Sequence, residues 1–155
     1  MWSEFQQGSQ NNKSNESELQ IIMEIMSKVH VWMGISNVDN DTFNEYFEID
    51  YSDPDMDIDD PKYKICEFCK DINEKFYDED WIGVYWQDKL TDVDEFIEEL
   101  SVEDEKMVEI KKICIHKGLE KVNTMFYYFD PEIEITDVNK LYNGLHYIGL
   151  FDTDF

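Results

Sequence analysis

The segment Val122–Phe129, Val-Asn-Thr-Met-Phe-Tyr-Tyr-Phe, is rich in β-branched and aromatic residues at odd and even positions alike. No other stretch constrains the fold as strongly. Successive side chains of a strand point to opposite faces of the sheet, so a segment apolar at both parities belongs to a central strand. Asp130 and Pro131 stop it, since proline cannot donate to the ladder. A central strand needs neighbours, and three other segments qualify. In Val29–Ser36, Val29, Val31, Met33 and Ile35 alternate with His30, Trp32 and Gly34. Trp81–Trp86 is an apolar run around Gly83, and Leu145–Phe151 closes the set.

Between these strands the apolar residues recur at helical spacing. Leu19, Ile22, Met23 and Met26 predict a short amphipathic helix feeding the first strand. Asp39, Asn40 and Asp41 offer N-caps to a helix with Phe43, Tyr46 and Phe47 inward. Ile65, Phe68, Cys69 and Ile72 mark one buried helical face. Thr91 can cap a helix that buries Val93, Phe96, Ile97 and Leu100, and Ser101 with Asp104 resembles a capping box opening a longer one. That longer helix has acids in its first turn, a core face of Met107, Ile110 and Cys114 or Ile113, and lysines near its end, with Gly118 as C-cap. Four strands interleaved with helices predict an α+β fold: a two-layer domain in which one mainly four-stranded sheet packs against helices. Residues 1–17 are polar and aperiodic and read as a flexible lead-in, leaving 18–155 as a single domain.

Charge bounds the function. The chain carries 37 Asp and Glu against 13 Lys, has no Arg, and has a formal net charge of −24. Nucleic acid and anionic lipid are recognised with Lys and Arg, so this composition argues against both as partners and points to basic proteins or cations. Without Arg the usual bidentate clamp for phosphate or carboxylate substrates is also missing. Aromatic residues make up 15% of the chain, enough apolar mass for a core despite the charge. Three cysteines, Cys66, Cys69 and Cys114, form no even disulfide framework, which fits a reduced cytoplasmic setting. No apolar run approaches the roughly 20 residues of a membrane span.

Three catalytic or metal patterns are testable in the sequence. Asp53, Asp55 and Asp57 alternate like the start of an EF-hand, but Ile58 stands where glycine is required and Lys64 where the bidentate Glu belongs. Cys66 and Cys69 form a C-x-x-C that Cys114 and His116 could extend to a zinc shell, yet Cys69 already belongs to an apolar stripe, so buried thiols are the expected reading. His30 and His146 lie in strand-like runs and His116 at a helix end, positions that suit structural roles better than a general base. We expect no enzyme, no cofactor and no metal site.

The acidic clusters are distinctive because aromatics are interleaved with them. Glu48, Asp50, Asp53, Asp78, Glu79 and Asp80 are expected to supply charge, while Tyr51, Tyr77 and Trp81 anchor a partner. Solubility alone would not require those rings, whereas binding hot spots combine a desolvated aromatic with charges complementary to the partner.

The motifs Val-His-Val-Trp-Met-Gly (29–34), Phe-Asn-Glu-Tyr-Phe-Glu-Ile-Asp-Tyr-Ser (43–52) and Tyr-Asp-Glu-Asp-Trp-Ile-Gly (77–83), followed by Asn-Thr-Met-Phe-Tyr-Tyr (123–128), resemble the immunity protein 22 family of bacterial polymorphic toxin systems. The likeness runs roughly from Val29 to Phe129. It implies an α+β antitoxin acting in the cytoplasm, with a cognate toxin domain as partner and no catalytic residue to carry over. A basic nuclease is the toxin the acidity would suit. Two rival readings are an acidic nucleic-acid mimic that inhibits a host DNA-binding protein and a metal-assisted hydrolase using His30 or His146.

Overall fold

The computed structural model describes residues 16–155. The expected flexible segment 1–17 falls outside them except for residues 16 and 17, which are already helical in a run over 16–25 (α1). Ten elements follow in the order β1 (Lys28–Gly34), α2 (Asn40–Glu45), α3 (Glu67–Ile72), a 3-10 turn (Glu79–Trp81), β2 (Ile82–Asp92), α4 (Val93–Ile97), α5 (Asp104–His116), β3 (Lys121–Phe129), β4 (Leu141–Tyr142) and β5 (Leu145–Asp152).

The strands form one sheet in the order β2-β3-β1-β5-β4, with every neighbouring pair antiparallel. The sheet therefore has five strands, not the four expected. The additional strand, β4, is two residues long and pairs Leu141 with His146 and Tyr142 with Leu145 across the turn Asn143-Gly144. Both turn residues have positive φ, 53° and 82°, the conformation a two-residue hairpin needs and the reason Asn-Gly is favoured there.

The central strand β3 lies between β2 and β1 as its composition demanded. Side chains of β1 and of the 125–129 part of β3 separate by parity into two cores, while Val122, beyond the register shift between β2 and β3, joins the first core out of phase. Val29, Val31, Met33, Val122 and Met125 pack with α4 and α5 through Val93, Phe96, Ile97, Ile110 and Cys114. Trp32, Phe126 and Tyr128 pack with α2 and α3 through Phe43, Phe68, Cys69 and Ile72. Since adjacent strand residues face opposite ways, the helices cover both faces of the sheet. The expected two-layer arrangement is corrected: a sheet apolar on both sides has to be covered on both sides.

The second core is mainly aromatic. Trp32 stacks on Phe126 at a centroid distance of 4.5 Å and meets Phe68 edge-on at 5.8 Å, with Tyr142 and Tyr147 at 5.9 and 5.2 Å. Such pairs add ~0.5–1.5 kcal/mol each beyond area burial. Against this, the buried Trp32 indole Nε1 has no hydrogen-bond partner, a cost of ~1–3 kcal/mol. In β2, the missing side chain of Gly83 makes room for the Tyr127 ring, because a Cβ there would stand 2.3 Å from Tyr127 Cζ.

Helix ends follow the expected chemistry with shifts of a residue or two. Asp39 caps α2 by accepting the Thr42 N–H at 2.7 Å, and the Gly118 region closes α5 with Leu119 N donating to Cys114 O at 2.8 Å. Thr91 is still paired in β2, against Val122, so Asp92 takes the cap position of α4. Glu103, not Ser101, is the N-cap of α5. Of the apolar residues expected to face inward on α1, Leu19, Ile22 and Met23 are exposed and Met26 is half-buried.

Candidate functional site

Two acidic segments, 48–60 and 78–80, meet at the surface. After α2 the chain runs through seven carboxylates from Glu48 to Asp60, and its turns are built by those carboxylates. Asp50 accepts the Ser52 N–H at 2.8 Å, Asp53 that of Asp55 at 3.2 Å, Asp57 that of Asp59 at 2.9 Å and Asp60 that of Lys62 at 2.8 Å. A short carboxylate taking the N–H two residues on is how Asp makes a turn without helix or strand. The hydrogen bond from Ser52, helped by Lys64 at 3.5 Å, holds Asp50 below the usual carboxylate range. The EF-hand alternation at Asp53, Asp55 and Asp57 is thus spent partly on backbone turns.

The second segment packs against the first. The Tyr51 hydroxyl donates to Glu79, joining the 50s loop to the 3-10 turn. Lys75 reaches Asp59 at 2.5 Å, a second tie between the two segments. Asp78 accepts the Asp80 N–H at 3.0 Å, and its own N–H donates to the Tyr128 hydroxyl at 3.1 Å, fixing the turn to the central strand.

Glu48, Asp50, Asp53, Asp78, Glu79 and Asp80 are all exposed, and Tyr51 is 61% exposed. Trp81 is half-buried against the aromatic core. Tyr77 is different: it is 3% exposed, wedged between Phe68 and Tyr128, and its hydroxyl donates to Phe47 O at 2.5 Å. Its expected role as a surface anchor is corrected to that of a support beneath the acidic turn. The adjacent Phe76, 49% exposed, is the ring that faces outward instead. Tyr46 and Phe47 are also interior. Nothing in the sequence between Ile72 and Trp81 sets a period, so the parity of Phe76 and Tyr77 could not be read there.

The residues of the metal and hydrolase readings are dispersed. Cys114 sits on the opposite face of the sheet from Cys66 and Cys69, with its Sγ 4.0 Å from Met33 Sδ, so these three cannot share one ion. Among the described residues no three His, Cys, Asp or Glu gather at metal-holding distance. His30 is 1% exposed and committed at both nitrogens: Nε2 donates to Asp130 O at 3.0 Å, which leaves Nδ1 to accept the Tyr147 hydroxyl at 2.8 Å. Burial lowers its pKa to about 4, outweighing the pull of Asp130. His146 is half-buried on β5, where burial and Lys117 also lower its pKa. No described helix is long and apolar enough to cross a membrane.

Fold and surface together define the class: an acidic α+β domain built around one antiparallel five-stranded sheet, with helices on both of its faces. Within that class the chain belongs to the Immunity protein 22 family, whose model matches residues 29–154. The match takes in all but the first residue of the sheet and leaves α1 outside. It extends past the Val29–Phe129 likeness to include the β4–β5 hairpin. Neither a curated protein nor a solved structure matches the chain.

Proposed function

We propose that this protein is an antitoxin that binds the toxin domain of its own polymorphic toxin system and silences it by occupying a basic substrate-binding surface. Membership of the Immunity protein 22 family carries the reading. The net charge of −24 supports a basic partner, with a nuclease as the toxin class. A nuclease holds its substrate's phosphates with cationic side chains. Carboxylates fixed in place by their own turns can sit where those phosphates would, and substrate is then excluded by occupancy with no chemistry required of the inhibitor.

In this reading Glu48, Asp50, Asp53, Asp78, Glu79 and Asp80 meet the toxin's cations, while Tyr51 and Phe76, with the flank of Trp81, provide the apolar anchors. Tyr77 contributes from below by holding the turn rigid, so little side-chain freedom is lost on binding. The action is expected in the cytoplasm, with neither nucleic acid nor membrane as a partner.

The test is co-expression with the toxin domain encoded beside this gene. The wild-type chain is expected to restore growth, and the variant Glu48→Gln/Asp53→Asn/Asp80→Asn, which keeps the turn-forming oxygens and removes charge, to restore it less. Failure of the wild-type chain to protect against that toxin would overturn the antitoxin reading; full protection by the variant would move the contact off this surface.

A further inference from the structure

Cys66 and Cys69 take no part in the surface just described, yet their geometry is that of a reacting pair. Cys66 lies just before α3 in extended backbone, φ −65° and ψ 158°, and caps the helix by accepting the Cys69 N–H at Sγ, 3.3 Å away. The two sulfur atoms are 3.1 Å apart. Cys66 is partly exposed and Cys69 is buried beneath it, both as free thiols. The first is therefore open to a reagent and the second is poised behind it, an order of accessibility that two inert core thiols would not need.

We propose that Cys66 and Cys69 form a thiol–disulfide exchange site that closes to a reversible intramolecular disulfide. The Cys66 thiolate attacks one sulfur of a small disulfide RSSR, forming a Cys66–S–S–R bond and expelling RS⁻. Cys69 then gives its proton to solvent and its sulfur attacks Cys66 Sγ, breaking the bond to R and expelling the second RS⁻. Two protein thiols are oxidised, one RSSR is reduced, and the two protons released convert the two RS⁻ to two RSH.

The geometry favours each step. A disulfide needs the sulfurs at ~2.04 Å, a short approach that Cys66 can supply because it stands outside the helix. The neighbouring Cys69 thiol and the cap N–H hold Cys66 down to about 7, so thiolate is present near neutrality, while Cys69 is pushed up beside it. Glu67 and the net charge of −24 repel anionic reagents, which selects a neutral disulfide over one such as oxidised glutathione. Cys114 serves as an internal control, since burial pushes its thiol up to about 12 on the far face of the sheet.

The experiment treats the full chain with excess 2-hydroxyethyl disulfide at mildly alkaline pH, quenches with acid, then denatures and alkylates it for intact-mass and peptide analysis. Expected are one alkyl group, on Cys114, loss of two hydrogens between Cys66 and Cys69, and full reversal by dithiothreitol. Cys69→Ser should stop at a mixed disulfide on Cys66, and Cys114→Ser should close the bond as wild type does. Alkylation of all three cysteines after oxidant, an unresolved mixed disulfide in the wild-type chain, or a bond that includes Cys114 would each overturn the proposal. Circular dichroism of the variants separates these outcomes from simple misfolding.

Discussion

His30 shows how much one buried side chain can decide. Its neutral Nε2–H tautomer satisfies Asp130 O and Tyr147 at once, and protonation would turn Nδ1 into a second donor facing a hydroxyl and add a charge to the core. With the folded pKa near 4 and the unfolded value at 6.5, the unfolded chain binds the extra proton between those limits. Stability from this residue is therefore full above pH 6.5 and is lost as pH falls toward 4, by roughly 3 kcal/mol at most. Denaturant titrations across that window should show the slope, and His30→Gln should flatten it; an unchanged slope would assign acid sensitivity elsewhere. Asn123 is a second buried polar residue with a structural task. Its side chain accepts the Ser36 N–H at 2.7 Å and donates to Ser36 O at 2.8 Å, continuing the pairing where β1 ends. Asn123→Ala leaves both backbone groups orphaned and should cost ~2–4 kcal/mol by urea unfolding. Neither role could be read from the sequence, because each depends on residues about a hundred positions away.

At the level of elements, strands were readable where composition overruled ambiguity. Val122–Phe129 gave β3 and its central place because both parities are apolar. Leu145–Phe151 likewise marks β5, whereas periodicity does not reveal β4, although Asn143-Gly144 between two apolar residues is a strong hairpin signal. A two-residue strand has no period of its own, so only the turn marks it. Gly144→Ala forces a Cβ into φ 82° and should cost ~1 kcal/mol, while Asp39→Ala removes the α2 cap and should cost about the same. Thermal unfolding of the two variants checks both figures. The 16–25 helix gives the opposite lesson: spacing established that Leu19, Ile22 and Met23 share helical structure, but not that anything covers them, and the structure leaves them exposed. The two-layer expectation failed because it left one face of the sheet without helices. Strand parity showed that β3 needed cover on both faces, and the helices supply it on both.

Over the whole molecule, charge dominates. With 37 carboxylates against 13 lysines, and eight ion pairs among the described residues drawing on lysines already outnumbered, the folded chain repels itself. Screening should relieve this, so the melting temperature is expected to rise as ionic strength is raised from low values; a fall would mean that the ion pairs outweigh the repulsion. The same field is what the proposed function uses. The exposure of the acidic candidates followed from their charge, but their joining through Tyr51 and Glu79, and the burial of Tyr77 with Phe76 at the surface, required the fold. The most direct measurement is the association rate of this chain with its toxin domain as a function of ionic strength, by stopped flow. The account predicts a rate approaching ~10⁸–10⁹ M⁻¹s⁻¹ at low salt that falls steeply as salt is added, with Glu48→Gln/Asp53→Asn/Asp80→Asn slower and less salt-dependent. A rate indifferent to salt, the same for both proteins, would contradict it.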